Sequence, residues 1–118
     1  MSHRTRITQS FTFHAAHQLV WHPGKCSNLH GHSYRFEVTL AGGLDANGVI
    51  VDFDLVDGIV EQFVLAQLDH TNLNDRFPNP TAELVCEWIL TRLSDQLDGV
   101  EEVRLWETAD SSAIVSVG

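Results

Sequence analysis

The chain has little positive charge. Its 118 residues include only seven Lys and Arg against sixteen Asp and Glu, which gives a formal net charge of −9. Nucleic acids and anionic membranes are bound through concentrated basic surfaces, so neither is expected as the main partner. An anionic small molecule remains compatible with this charge, because a bound divalent cation supplies two positive charges at one point.

Long apolar runs and cysteines are also scarce. No segment approaches the length of a membrane span, and the N-terminus lacks the apolar core of a signal peptide, so a cytoplasmic location is expected. The two cysteines, Cys26 and Cys86, lie in different contexts, and without an export signal a disulfide between them is disfavoured. The length predicts a single domain, 1–118, with one core.

Histidine, by contrast, is concentrated in one part of the chain. His30 and His32 flank a single residue, so on a strand their imidazoles point to the same side. A third imidazole from a neighbouring strand would complete a three-histidine metal site with an open position, as in catalytic zinc sites. His17 is favoured as that third ligand over His14, because His17 shares the apolar parity of its segment.

Alternating apolar residues predict the strands. They indicate strands over 5–17 and 32–41, the second continuing the parity of His30 and His32, with a loop between them. Two further strands are predicted at about 100–108 and 112–117.

Two helices are predicted between these strand pairs. Asp52 or Asp54 can cap a helix running to about Leu68, and Thr81 can cap a second helix. The buried face of that second helix is expected to consist of Leu84, Val85, Trp88, Ile89 and Leu93. The resulting β-β-α-α-β-β order predicts an α+β domain with an antiparallel four-stranded sheet and both helices on one face.

Cys26 has two functional interpretations. It can be a fourth zinc ligand that closes a structural site, or a reactive thiolate stabilised by nearby positive charge. Its polar neighbours argue against simple core packing, whereas the apolar neighbours of Cys86 fit an inert buried thiol.

Two acidic positions are further candidates. Asp69 precedes His70, and an aspartate that orients a histidine is a common acid–base arrangement, although adjacent pairs also occur by chance. Glu107 shares the apolar parity of Val103 and Leu105, and a carboxylate on a buried face needs a partner. That partner is either an arginine or a ligand with two adjacent N–H donors, such as a pterin or guanine ring.

The order and spacing of these motifs resemble the 6-pyruvoyl-tetrahydropterin synthase family over nearly the whole chain. The matching motifs are Phe13-x-Ala15-Ala16-His17, Cys26-x-x-x-His30-Gly31-His32, Gly48-x-x-x-Asp52-Phe53, Leu68-Asp69-His70-x-x-Leu73-Asn74, Asn79-Pro80-Thr81-x-Glu83 and Glu107-Thr108. The three-residue gap between the cysteine and the His-Gly-His looks like the bacterial 6-carboxy-5,6,7,8-tetrahydropterin synthase branch.

The resemblance implies roles for individual residues. It implies a zinc ion (Zn2+) held by His17, His30 and His32, and Cys26 as the proton-abstracting base assisted by Asp69 and His70. Glu107 is implied as the anchor of the pterin ring. Further candidates for substrate binding are Thr81 and Thr108, and for holding the triphosphate Lys25, Arg35 and His14.

The resemblance also implies an assembly and a reaction. The family's tunnelling fold joins the sheets of several subunits into a barrel, commonly a hexamer of two trimers, with active sites between subunits. The implied reaction is a zinc-dependent lyase reaction in queuosine biosynthesis that converts 7,8-dihydroneopterin triphosphate to 6-carboxy-5,6,7,8-tetrahydropterin, acetaldehyde and triphosphate. The alternatives are a 6-pyruvoyl-tetrahydropterin synthase or folate-route homologue, and a non-catalytic structural zinc module.

Overall fold

A computed structural model of the chain describes residues 3–118. It contains a five-stranded sheet in the order β3-β1-β2-β4-β5. The strands are β1 (Arg6–His17), β2 (His30–Ala41), β3 (Thr71–Asn72), β4 (Val100–Thr108) and β5 (Ser111–Ser116). The four long strands pair antiparallel, as the alternation of apolar residues predicts.

The prediction of a four-stranded antiparallel sheet is wrong in one respect. The short strand β3 adds a fifth member, which pairs parallel to β1 and makes the sheet mixed. The reason is local, since two polar residues carry no alternating apolar pattern. The strand is instead placed by His70, which adopts a left-handed backbone conformation with φ of 58° and turns the chain back onto β1.

The helices lie where capping residues predict them. The Asp52 carboxylate accepts a hydrogen bond from Asp54 N and begins α1 (Phe53–Val60), which continues through a π-helical turn (Glu61–Leu65) into α2 (Ala66–Leu68). Thr81 Oγ1 accepts from Leu84 N and begins α3 (Ala82–Ser94). Both predicted caps are therefore confirmed.

The core lies between α3, the α1–α2 segment and one face of the sheet. The inward-facing residues follow the predicted parity, with Phe13 on β1 and Tyr34, Phe36 and Val38 on β2 all buried. One prediction for α3 is wrong. Leu84 is 44% exposed, because the buried stripe runs through the following residues Val85, Cys86, Ile89, Leu90 and Leu93.

In the part of the chain that the structure describes, no helix combines the length and the apolar character that a membrane crossing needs.

Candidate metal centre

The three predicted histidines lie together at one end of the core face. In the β1–β2 ladder His17 is directly opposite His30, and Ala15 is opposite His32. The odd-numbered parity of β1 and the even-numbered parity of β2 both face the core, so all three imidazoles point to the same side of the sheet. Their ring centroids are 4.6 to 5.0 Å apart.

Glu107 reaches the same place from β4. Arg35 of β2 pairs with Trp106 of β4, so the next residue of β4, Glu107, lies beside Tyr34 and near the histidines. Its Oε1 lies 3.3 Å from His32 Nε2 and 3.8 Å from His17 Nε2. One potential ligand atom from each of His17, His30, His32 and Glu107 lies within 4.8 Å of all the others, a spacing that one metal ion can bridge.

The hydrogen bonds of two histidines fix which nitrogen faces the centre. His17 Nδ1 lies 2.9 Å from the carbonyl oxygen of Pro80, and His30 Nδ1 lies 2.6 Å from that of Asn28. A carbonyl oxygen only accepts hydrogen bonds, so each Nδ1 carries a proton, and in the neutral imidazole each Nε2 presents a lone pair. The Tyr34 hydroxyl is also near His17 Nδ1, but at 3.3 Å it is the weaker neighbour.

The result is two lone pairs that face one another. His17 Nε2 and His30 Nε2 are 3.0 Å apart, and with both protons on Nδ1 neither can donate to the other. A cation between them removes that repulsion. Metal-binding histidines commonly donate their second N–H to a carbonyl in this way, which holds the ring in its ligating orientation.

His32 supplies a third unsatisfied atom. Its Nε2 is buried and makes no hydrogen bond to any residue within 3–118. Burial lowers the pKa of His32; Glu107 opposes this shift, and His17 and His30 add to it. A neutral imidazole is the form that binds a metal. The donor set therefore fits a cation bound by nitrogen, with the Glu107 carboxylate beside it.

Cys26 lies near this centre in sequence but outside its ligand set. It occupies a short 3₁₀ turn (Lys25–Ser27) in the loop between β1 and β2 and is a half-buried free thiol. Among residues 3–118, the cluster of closely spaced ligand atoms contains the three histidines and Glu107 and does not include its sulfur. This geometry disfavours a closed site of one cysteine and three histidines.

Asp69 and His70 bind the main chain of β1 at His14, on the strand edge that faces away from β2. The Asp69 carboxylate accepts from His14 N at 2.9 Å, and His70 N donates to His14 O at 2.6 Å. Within residues 3–118, the side-chain hydrogen bonds and ion pairs of these two residues go to His14 and to each other, with 3.6 Å between Asp69 Oδ2 and His70 Nε2. One chain therefore does not join this pair to Cys26.

The remaining predicted site residues are dispersed. Thr81 caps α3, and Thr108 is exposed at the end of β4. Lys25 is exposed in the 3₁₀ turn, Arg35 pairs with Glu37 and lies over the Trp106 ring, and His14 pairs with Ser33. No atom of His14 belongs to the cluster of ligand atoms found within residues 3–118.

Three residues that sequence reasoning did not select help to build the centre. Pro80 and Asn28 orient His17 and His30 through their carbonyls, and Asn74 binds the backbone just after His17. Main-chain carbonyls leave no residue-type signal in a sequence. The Asn79-Pro80-Thr81 and Leu73-Asn74 motifs marked two of these places without indicating what they do.

The chain is similar to known proteins over most of its length. The family model described as 6-pyruvoyl tetrahydropterin synthase matches residues 6–117. The 6-carboxy-5,6,7,8-tetrahydropterin synthase of Synechocystis is 36% identical over 115 residues, which cover 91% of this chain and 89% of that protein. The dihydroneopterin monophosphate aldolase of Pyrococcus furiosus is 34% identical over 111 residues, covering 88% and 90%.

The fold also matches a solved structure. The 6-pyruvoyl tetrahydropterin synthase of Caenorhabditis elegans superposes with a TM-score of 0.87, covering 98% of this chain and 96% of that one, at 24% identity.

Proposed function

The chain belongs to the 6-pyruvoyl tetrahydropterin synthase family, and from this membership we propose that it is a zinc-dependent 6-carboxy-5,6,7,8-tetrahydropterin synthase. The proposed substrate is 7,8-dihydroneopterin triphosphate. Addition of water and cleavage of the side chain give 6-carboxy-5,6,7,8-tetrahydropterin, acetaldehyde and triphosphate. The proposed place of this reaction is the route to queuosine, in the cytoplasm, where a catalytic thiol stays reduced.

One observation carries the proposal. Three imidazole Nε2 atoms converge at the end of the core, and two of them are held with their lone pairs inward by backbone carbonyls. His17, His30 and His32 would hold the zinc ion. When bound, zinc supplies Lewis acidity to the hydroxyl oxygens of the substrate side chain. Three protein ligands leave a position for those oxygens, which a closed four-ligand site does not.

We assign proton transfer to Cys26. Its thiol is half-buried, free and close in sequence to the first and second histidines without being one of the clustered ligand atoms. A thiolate that is not bound to the metal can accept a proton from a side-chain carbon of the substrate.

We propose that Asp69 and His70 act on the site of a neighbouring subunit. Within one chain they contact His14, whose side chain lies on the face of β1 opposite to His17. The His70 side chain is 78% exposed, so it is accessible to a second copy of the chain. A homo-oligomer, as a hexamer of two trimers with sheets joined into a barrel, would bring this pair to a Cys26 of another subunit.

Glu107 is the proposed anchor of the pterin ring. Its partners in one chain are the imidazoles of His17 and His32 rather than an arginine, so its carboxylate keeps acceptor capacity. Two carboxylate oxygens match the adjacent ring N–H and amino N–H of a pterin. With 23% of the side chain exposed, the carboxylate is open to a ligand. Thr108, which follows it, is proposed as a further substrate contact, and Thr81 as a second.

A second function within the family is favoured by one comparison. The Pyrococcus relative is an aldolase, and its chain is nearly as similar as that of the carboxytetrahydropterin synthase. The product separates these possibilities. A pyruvoyl product retains all three side-chain carbons, and an aldolase acting on dihydroneopterin releases a two-carbon aldehyde without forming a carboxylate.

The test is incubation of the zinc-loaded protein with 7,8-dihydroneopterin triphosphate, followed by mass analysis of the pterin and trapping of aldehydes. The proposal predicts carboxytetrahydropterin together with acetaldehyde in equal amounts. A hydroxymethyl or pyruvoyl pterin as the sole product would contradict it and select another family activity. A chain that binds zinc but transforms no dihydroneopterin would favour the structural module.

A further inference from the structure

The edge of β1 that faces away from β2 is bound by one continuous segment, residues 69–74. Asp69 and His70 bind the main chain of His14, and β3 pairs with Ala15 and Ala16. Asn74 then continues this pairing at Gln18, two residues beyond Ala16. Its Oδ1 accepts from Gln18 N at 2.8 Å and its Nδ2 donates to Gln18 O at 2.9 Å.

The side-chain amide of Asn74 makes the two hydrogen bonds that a residue of a paired strand would make. It satisfies both backbone groups of Gln18 at once, where β1 has ended and no strand is available. Asn74 is itself fixed, because its N–H donates to the Asn72 side chain and the intervening Leu73 is fully buried. The position of Gln18 therefore follows from the packing of residues 72–74.

Gln18 and the residue after it are hydrogen-bonded to the 3₁₀ turn that contains Cys26. Gln18 Nε2 donates to Ser27 O at 2.9 Å, and the next residue, Leu19, donates from N to Cys26 O at 2.8 Å. Besides the bonds of Ser27 to Gly24 directly before the turn, the turn and the Asn28 that follows it make three hydrogen bonds to other residues within 3–118. The third is the one from His30 Nδ1 to Asn28 O.

We propose that Asn74 and Gln18 are positioning residues that set the Cys26 thiol relative to the three histidines. Of the three hydrogen bonds that reach the turn and Asn28 from outside residues 24–28, two come from Gln18 and Leu19, and Asn74 fixes the backbone of Gln18. The same backbone runs directly from the metal ligand His17. A shift at Gln18 therefore changes the distance between the thiol and the metal centre. This inference rests on the proposed role of Cys26 in proton transfer.

The test uses Gln18→Met, which keeps the approximate length of the side chain and removes its amide, including the donor to Ser27 O. Gln62→Met is the matched control, since Gln62 is an exposed glutamine of the π-helical turn. Asn74→Ala is a second, more disruptive variant. Each protein is measured for zinc content, kcat and KM, and for the pH profile of iodoacetamide labelling of Cys26 in the native state.

Native labelling reports on Cys26 because the other thiol is protected. Cys86 is fully buried, and burial raises its pKa to about 11. For Gln18→Met we expect full zinc content, unchanged KM, and kcat lower by about ten- to a hundredfold, since small misplacements of reacting groups cost this much. The limiting labelling rate at high pH should rise several-fold as the turn loosens, with a larger change in Asn74→Ala.

Two results would overturn the inference. One is a Gln18→Met protein whose kcat and labelling profile match those of Gln62→Met and the wild type. The other is loss of zinc in parallel with kcat, which would show a structural role at the metal instead. If the wild type itself does not turn over dihydroneopterin triphosphate, the proposed function fails, and the labelling rates still decide whether Gln18 positions the thiol.

Discussion

His14 and His17 lie three residues apart on β1, yet their rings have opposite surroundings. His17 is fully buried, and its Nε2 faces two other imidazoles. His14 is exposed, bonds to Ser33, and has its main chain bound by Asp69 and His70. Both groups contain histidines and one carboxylate. Only in the group around His17 do imidazole nitrogens without a hydrogen-bond donor face one another.

The period of a strand produces this difference. A three-residue step reverses the side of the sheet, so one histidine joins the core face and the other the open face. On the core face a polar ring must be satisfied, and the neighbouring carbonyls satisfy only the outward nitrogens of His17 and His30. On the open face water is available. A histidine-rich segment thus becomes one proposed metal centre and one surface pair.

The sharpest way to break this comparison is to remove a ring from each side. His17→Ala deletes one of three proposed ligands and should abolish both zinc binding and turnover within detection. His14→Ala is the matched control and should retain stoichiometric zinc. Metal analysis after dialysis measures both. Retention of zinc by His17→Ala, or its loss from His14→Ala, would contradict the assignment of the two faces.

The next largest effect is expected for Cys26 and for the Asp69–His70 pair, which are proposed to act together at one active site. Cys26→Ala and His70→Ala should each keep zinc and lose turnover by about a hundredfold to ten-thousandfold, the usual cost of a positioned acid or base. If the pair acts on a neighbouring subunit, mixed oligomers of the two variants contain some intact sites.

Activity of these mixtures is the decisive measurement. The two inactive variants are dissociated, mixed and reassembled, and should regain part of the wild-type rate, whereas each variant treated alone should not. An unchanged rate in the mixture, with mixed oligomers demonstrated by mass spectrometry, would place Cys26 and His70 in one chain or outside the mechanism.

A smaller effect is expected at Glu107. Glu107→Gln keeps the shape but removes the charge that strengthens hydrogen bonds to a pterin, worth about 1.5–3 kcal/mol. That corresponds to roughly ten- to a hundredfold in kcat/KM, mostly through KM, with zinc unchanged. Because its carboxylate lies among the ligand atoms, zinc content is the control. Loss of zinc from this variant would make Glu107 a ligand rather than a substrate anchor.

The smallest effect concerns the support of His17. Thr81 caps α3 directly after the carbonyl of Pro80 that orients the ring. Thr81→Ala should lower the free energy of unfolding by about 1 kcal/mol, the usual cost of losing a cap, as measured by denaturant unfolding. If the Thr81 side chain also contacts substrate, as proposed above, KM should rise in the same variant, whereas an unchanged KM would limit its role to the cap.

Sequence reasoning predicted the parts of the fold that depend on side-chain periodicity. The long strands, the Asp52 and Thr81 caps and the convergence of three histidines all follow from alternation and spacing. It missed β3, whose pairing depends on the left-handed conformation at His70, and it placed Leu84 inside. It could not foresee the carbonyls that orient the rings, since every residue has one.

The account depends on an open three-histidine centre, and the coordination of zinc in the native protein tests this most directly. X-ray absorption at the zinc edge distinguishes nitrogen or oxygen ligands at about 2.0–2.1 Å from sulfur at about 2.3 Å. We predict one zinc per chain with three imidazole ligands, light-atom ligands only, and an unchanged spectrum in Cys26→Ala. A zinc–sulfur distance that disappears in that variant would contradict the account, as would a wild-type protein that binds no zinc.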